Sequence, residues 1–416
     1  MTADYSMRQQ TTAGKGTDVT GPLRGLRVLE LGNMIAAPTA GCLLADFGAR
    51  VIKVEHPSLG DDLRRWPPSK NGVPLWWKVT NRNKDLITLN LSTKRGQELC
   101  RRIVGSCDVV IENFRPGTME KWNLGYDQLT AVNPGIIMVR ISGYGQTGPY
   151  SGRGGYGTVA EAMSGIPSFT GFPETPPTLS AFPLVDSLAG MFAAQGALMA
   201  VYERDTAGSG RGQVIDVSLY ESIFRLVDSQ VIAYDQMGIV KQRQGNRMRE
   251  DSPRNAYQTA DGEYVAISAG SQRTFSRLAE AIGQPWLNAD PRFLTNELRC
   301  DNADALDEIV AAWFAARTLD EAMKALDLKD AVAGPVYDVK RILEDPHYAA
   351  REDIVTVADP DLGEVRMQAV LPKFSRTPGS IQWPGGDRGE KNEELYCGQL
   401  GLSPGELADL QADGVV

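Results

Sequence analysis

An α/β chain built on a doubly wound parallel sheet is the fold class the sequence predicts, and three observations lead there. From Leu26 onward, short β-rich runs alternate with helix-length amphipathic segments, the pattern of a parallel sheet with helices on its faces. A composition of 42% hydrophobic and 23% charged residues is that of a globular chain rather than a disordered or fibrous one. A length of 416 residues exceeds one ordinary core, so a second, smaller domain is expected.

The candidate strands are Leu26–Leu31, Arg50–Glu55, Leu86–Leu91, Val109–Phe114, Ile136–Ser142 and Val214–Leu219. Between them lie helical candidates Ala36–Phe47, Lys94–Gly105, Tyr126–Val132 and Ser187–Arg204; together they read as a Rossmann-like domain. The polar stretch Met237–Arg254 breaks this rhythm, and Tyr257–Ser268 then reads as a hairpin turning at Asp261-Gly262. Helices are expected at Phe275–Ile282, Ala305–Ala316 and Leu319–Leu326, and Ser403 and Glu406 have capping-box spacing at the start of a last one. The expected organisation is a disordered tail over 1–20, a large domain over 21–236, a linker and small α+β domain over 237–350, and a return segment over 351–416 completing the large domain.

The formal charge of −9 excludes a general nucleic-acid or anionic-membrane binder. Five scattered cysteines without a C-x-x-C pair suggest neither a disulfide framework nor a zinc site and fit a cytoplasmic protein. The longest apolar stretch, Ser187–Tyr202, is shorter than the roughly 20 residues of a bilayer span and is broken by Gln195 and two glycines. No membrane segment and no bound metal are expected.

Gly143-Tyr-Gly145-Gln-Thr-Gly148 matches the dinucleotide pattern G-x-G-x-x-G, but Pro149 and a further glycine-rich stretch continue the loop where the pyrophosphate-binding helix should open. Only two histidines are present, His56 and His347, too few for chemistry that needs an imidazole base and metal ligands. His56 ends the strand Arg50–Glu55, where such sheets bind ligands; by residue type alone it reads more readily as surface structure. Asp186 closes an apolar run at the start of a small-residue helix; it reads as an N-cap or as a carboxylate nucleophile favoured by the helix dipole. Arg64, Arg65, Lys78, Arg82, Lys84, Lys94, Arg95, Arg115 and Lys121, interleaved with Trp66, Trp76, Trp77 and Phe114, are either a solvated face or a seat for phosphates and an adenine.

Five segments in order, Pro22–Glu30, Ala45–Pro57, Asp108–Gly117, the block ending at Asp186 and Gly208–Gln213, resemble the family III CoA-transferases, which include formyl-CoA:oxalate and carnitine CoA-transferases and a divergent racemase branch. The resemblance implies an interlocked homodimer of ring-like subunits, coenzyme A as co-substrate with no permanent cofactor, and Asp186 as the catalytic carboxylate. It places Ile35, Ala36, His56, Leu89, Asn90, Asn113, Phe114, Arg115 and Lys121 at CoA, and Tyr156 and Gly157 beside the acyl group and its oxyanion. The implied activity is transfer of CoA from an acyl-CoA, such as succinyl-CoA, to a free carboxylic acid. The alternatives are a 2-methylacyl-CoA racemase and a silent CoA-binding subunit paired with a paralogous chain.

Three departures refine this. Tyr156 stands where the racemase branch has the histidine that is one of its two bases. Pro253–Tyr257 lacks the glycine run of the formyl-CoA branch. Ile35 and Gly157 replace polar residues of the oxalate enzymes, leaving Arg153, Arg254 and the basic cluster as the cations available to a second carboxylate.

Overall fold

In the computed structural model the described residues are 21–416; the expected tail 1–20 lies outside them. Chain contacts gather the protein into two compact units. Of the described residues, the first comprises 21–160, Phe182–Leu226 and Glu352–Val416; the second comprises Glu161–Ala181 and Val227–Arg351.

The first unit is built on six parallel strands: β1 (Arg27–Glu30), β2 (Arg50–Glu55), β3 (Lys84–Thr88), β4 (Val109–Glu112), β5 (Ile137–Ser142) and β6 (Val214–Ser218). Their order is 3-2-1-4-5-6, the Rossmann order in which the chain reverses its direction of travel between β1 and β4. Strands β1, β2 and β4 are almost entirely buried, as a parallel sheet covered on both faces must be. One side carries a core of Leu29, Ile52, Ile87, Val110 and Met138 with Leu99 and Ile103 from the helix Lys94–Val104. The C-terminal segment completes this core through Leu395, Tyr396, Leu407, Val415 and Val416, and the expected Ser403–Glu406 capping box forms.

Two further helices matter for the site, α1 (Ala36–Asp46) and α2 (Leu184–Tyr202). They pack closely because Gly190 has no side chain: a Cβ there would lie 2.8 Å from the carbonyl oxygen of Ala36 and from Thr39. Continued by a π-helical turn over Glu203–Ala207, α2 is longer than the apolar run suggests, and it is the one helix among the described residues long and apolar enough to cross a membrane. Its small residues Ala189, Gly190, Ala193, Ala194 and Ala197 are buried within the unit, so packing accounts for that apolar stripe.

The second unit carries an antiparallel sheet of β7 (Arg254–Gln258), β8 (Tyr264–Ser268) and β9 (Ala333–Pro335), in the order 9-8-7. The predicted turn falls at Asp261-Gly262, with Gly262 at φ 85°, a conformation open to glycine. Helices Gln272–Ala281, Ala303–Ala315 and Leu319–Asp327 enclose a core of Tyr257, Val265, Ile267, Phe275 and Phe314.

Candidate active site

The positions that the resemblance assigns to CoA and the acyl group, Ile35 through Gly157, fall at or beyond the C-terminal ends of the parallel strands, where doubly wound folds bind ligands. Ile35 and Ala36 follow β1 and open α1; both are buried. His56 directly follows β2, and its Nδ1 accepts from the amides of Ser58 and Leu59 at 3.3 Å each, so the ring proton sits on Nε2. Leu89 and Asn90 follow β3. The Leu89 side chain lies in the core and offers a ligand only its backbone; its amide already donates to Glu55. Asn90 folds into an Asx turn, accepting from Ser92 N at 3.1 Å and Ser92 Oγ at 2.6 Å, while its own amide donates to Val415.

Asn113, Phe114 and Arg115 follow β4, at the reversal. The Asn113 side chain bridges to the β1 loop, accepting from Asn33 N at 2.9 Å and donating to Asn33 O at 2.8 Å. Phe114 stands edge-on to Trp122, 5.0 Å between centroids. Arg115 is exposed and reaches across to the loop after β5, where a Cβ on Gly154 would lie 3.3 Å from its guanidinium. Lys121 ends the short helix Thr118–Lys121 and is exposed.

Sequence reasoning missed what holds the β1 loop. Lys53 Nζ, fully buried, binds Asp61 at 2.8 Å, Glu30 at 3.2 Å and the carbonyl of Gly32. Asp61 in turn accepts from Met34 N at 3.0 Å and Leu63 N at 2.9 Å. Glu30 also pairs with the buried Lys84 at 2.8 Å. Burial works against the Lys53 ammonium, but Asp61 and Glu30 outweigh it and raise its pKa. The clamp fixes Met34 at φ 65°, a conformation costly for a residue with a Cβ. No motif flags these residues; the available signal was Lys53 in the middle of the strand Arg50–Glu55.

The glycine-rich motif after β5 forms a loop and not a helix start. Gly145 and Gly148 adopt φ of 84° and 88°, and Gly143 and Gly155 lie back to back, a Cβ on Gly143 falling 2.7 Å from Gly155 Cα. Gln146 N donates to Asp216 at 2.8 Å. A helix opens only at Gly157, too late to face a pyrophosphate held by the motif.

That helix start meets Asp186. A Cβ on Gly157 would overlap Asp186 Oδ2, so glycine is required for the two to touch. The N-cap alternative for Asp186 fails: Pro183 occupies the cap position, no side chain caps the helix, and Asp186 is its third residue. The carboxylate bonds its own backbone amide, and among the described residues no cation pairs with it. Burial lifts its pKa from 3.8 to about 6. Tyr156 is 77% exposed. At the end of β4, burial also pushes Glu112 up to about 7 despite its bond to Arg140 at 2.7 Å.

The basic cluster largely resolves into structural ion pairs. Arg64 binds Glu55 at 2.6 Å and stacks 3.7 Å over Trp77; Arg82 binds Asp46 at 2.6 Å; Lys78 binds Asp359 at 2.7 Å; Arg95 binds Asp413 at 3.1 Å; Arg65 pairs with Asp62. Lys94, Arg115 and Lys121 remain without a carboxylate partner among the described residues. Burial holds the thiols of Cys42, Cys100 and Cys107 up at about 12, so they are poor nucleophiles.

A Rossmann-ordered sheet with ligand-edge residues, an unpaired carboxylate at a helix start and no dinucleotide helix defines the class. The profile of CoA-transferase family III matches residues 23–392, and the chain belongs to that family: it is an enzyme that moves CoA from an acyl-CoA to a carboxylate. It is 47% identical over 396 residues to the succinyl-CoA–D-citramalate CoA-transferase of Chloroflexus aurantiacus, covering 95% of this chain and 98% of that protein. It is 40% identical over 405 residues to the β subunit of succinyl-CoA–L-malate CoA-transferase from the same organism, covering 96% and 100%. A CAIB/BAIF family protein from Brucella suis superposes with a TM-score of 0.81 at 32% identity, covering 91% of this chain and 99% of that one.

Proposed function

We propose that the chain transfers CoA from succinyl-CoA to a small dicarboxylic acid through covalent intermediates on Asp186. The carrying observation is the Asp186 carboxylate itself: without a cation partner among the described residues, third in its helix and pressed against the side-chain-free face of Gly157. A carboxylate locked in an ion pair is a weaker nucleophile.

An Asp186 oxygen attacks the donor thioester carbonyl and expels CoA thiolate, leaving a mixed anhydride. The thiolate attacks the aspartyl carbonyl and releases the donor acid, so the enzyme holds a CoA thioester. The acceptor carboxylate then attacks that carbonyl, and the freed thiolate takes the acceptor acyl group, restoring Asp186. Each step exchanges one acyl bond for another, so no ATP is consumed. Backbone amides at Tyr156-Gly157 are assigned to the oxyanions, and Ile35, Ala36, His56, the Leu89 backbone, Asn90, Asn113, Phe114, Arg115 and Lys121 to CoA along the strand ends.

The names of the relatives supply the first assay: succinyl-CoA with D-citramalate or L-malate, reading new CoA esters by mass spectrometry. Asp186→Asn is expected to abolish exchange, and a CoA adduct is expected on the wild-type peptide carrying Asp186. Exchange at the wild-type rate in the variant refutes the mechanism. The working assembly is an interlocked homodimer in the cytoplasm; activity of the purified chain alone at twice its monomer mass supports that assembly over pairing with a paralogous subunit.

A further inference from the structure

The loop between β5 and Gly157 carries a feature that CoA chemistry leaves unused. Arg153 lies 3.7 Å over the ring of Tyr150. Tyr150 stands edge-on to Tyr144 at 5.9 Å, and Tyr144 packs on Tyr220 at 6.2 Å. Among the described residues no carboxylate pairs with the Arg153 guanidinium, although the chain carries 52 acidic residues against 43 basic ones. The Gly143–Gly155 contact closes the loop on itself, so the stacked guanidinium is presented from a fixed rim. A stacked, planar cation of this kind keeps its in-plane donors free for a carboxylate.

Its position matches that use. Arg153 is four residues from Gly157, so connectivity alone keeps their Cα atoms within about 14 Å, and Gly157 abuts the Asp186 carboxylate. Of the three residues between Arg153 and Gly157, only Tyr156 carries a side chain, and it is exposed. Arg254, the other arginine singled out in the sequence, donates instead to the carbonyl of Asn246 at 2.8 Å within the second unit.

We infer that Arg153, held on Tyr150, binds the second carboxylate of the substrate acid while its first is exchanged at Asp186, and so selects dicarboxylates over monocarboxylates. This rests on the aspartyl reading proposed above. The test compares succinate with butyrate, which differ in that carboxylate, as inhibitors and acceptors against succinyl-CoA. In Arg153→Ala the inhibition constant and KM of succinate are expected to rise roughly ten- to hundredfold with the butyrate inhibition constant unchanged, and Arg153→Lys should recover part of the loss. An unchanged succinate constant, or equal weakening of both acids, overturns the inference. The CoA adduct on the Asp186 peptide separates the two claims: its presence with unaltered acid discrimination removes only the role of Arg153, and its absence in the wild-type protein overturns both.

Discussion

Burial that raises Asp186 from 3.8 to about 6 has consequences in both activity and stability. Protonated Asp186 cannot attack, so kcat/KM is expected to fall tenfold per pH unit below about 6; a profile flat from pH 7 to 4.5 contradicts this. The folded state holds the Asp186 proton more tightly than the unfolded chain, so stability falls as pH rises from about 4 through about 6 and the whole penalty is present above that. Asp186→Asn removes it and is expected to raise Tm at pH 7 while leaving Tm near pH 4 almost unchanged, the gain being at most about 3 kcal/mol and nearer 1–2 with partial solvent access. Gly157→Ala tests the same contact from the other side. The added methyl displaces the carboxylate, and a shift of about 1 Å at a reacting group costs about a hundredfold in rate. Normal folding by circular dichroism with kcat reduced on that scale is expected; an unaltered kcat argues against the contact.

At the level of elements, two strand-end loops meet where the sheet reverses, and their geometry is fixed by buried charge. Removing Asp61 leaves the Lys53 ammonium only Glu30, which it shares with the buried Lys84, so two buried cations face one carboxylate and Asp61→Ala is expected to cost about 3–5 kcal/mol, read as a lowered denaturation midpoint. Asp61→Asn keeps the shape but loses the charge and should fall between the two. The six strands were legible because each is a β-rich run of the right length, and five of the six run within two residues of their expected bounds. The Lys53–Asp61–Glu30 clamp was not legible, since Asp61 lies outside any strand and reaches Lys53 only after the chain turns back on itself. Asp186 was legible as a helix-start carboxylate, but whether it capped the helix depended on the register set by Pro183.

For the whole molecule, ion pairing and apolar exposure point in different directions. Most of the basic run between Arg64 and Arg95 is spent on contacts within the first unit, including the link from Lys78 to Asp359 on the returning chain; sequence spacing hides that partner because it lies nearly three hundred residues away. Apolar surface is by contrast left open. Met191, Met199 and Tyr202 of α2 are exposed, and so, in the second unit, are Ile232, Tyr234 and Met237 of the helix Gln230–Met237. Exposed apolar side chains of this size on one helix mark an interface, and the proposed homodimer would supply the covering surface for α2. Tyr202 is 66% exposed in the single chain, so Tyr202→Asp should leave an isolated subunit's fold intact while placing an unpaired charge in a buried contact. The variant is expected to run at half the wild-type mass by multi-angle light scattering, or to aggregate, with exchange activity lost in step. A dimer of undiminished stability and full activity would show that α2 faces solvent and that the covering surface lies elsewhere.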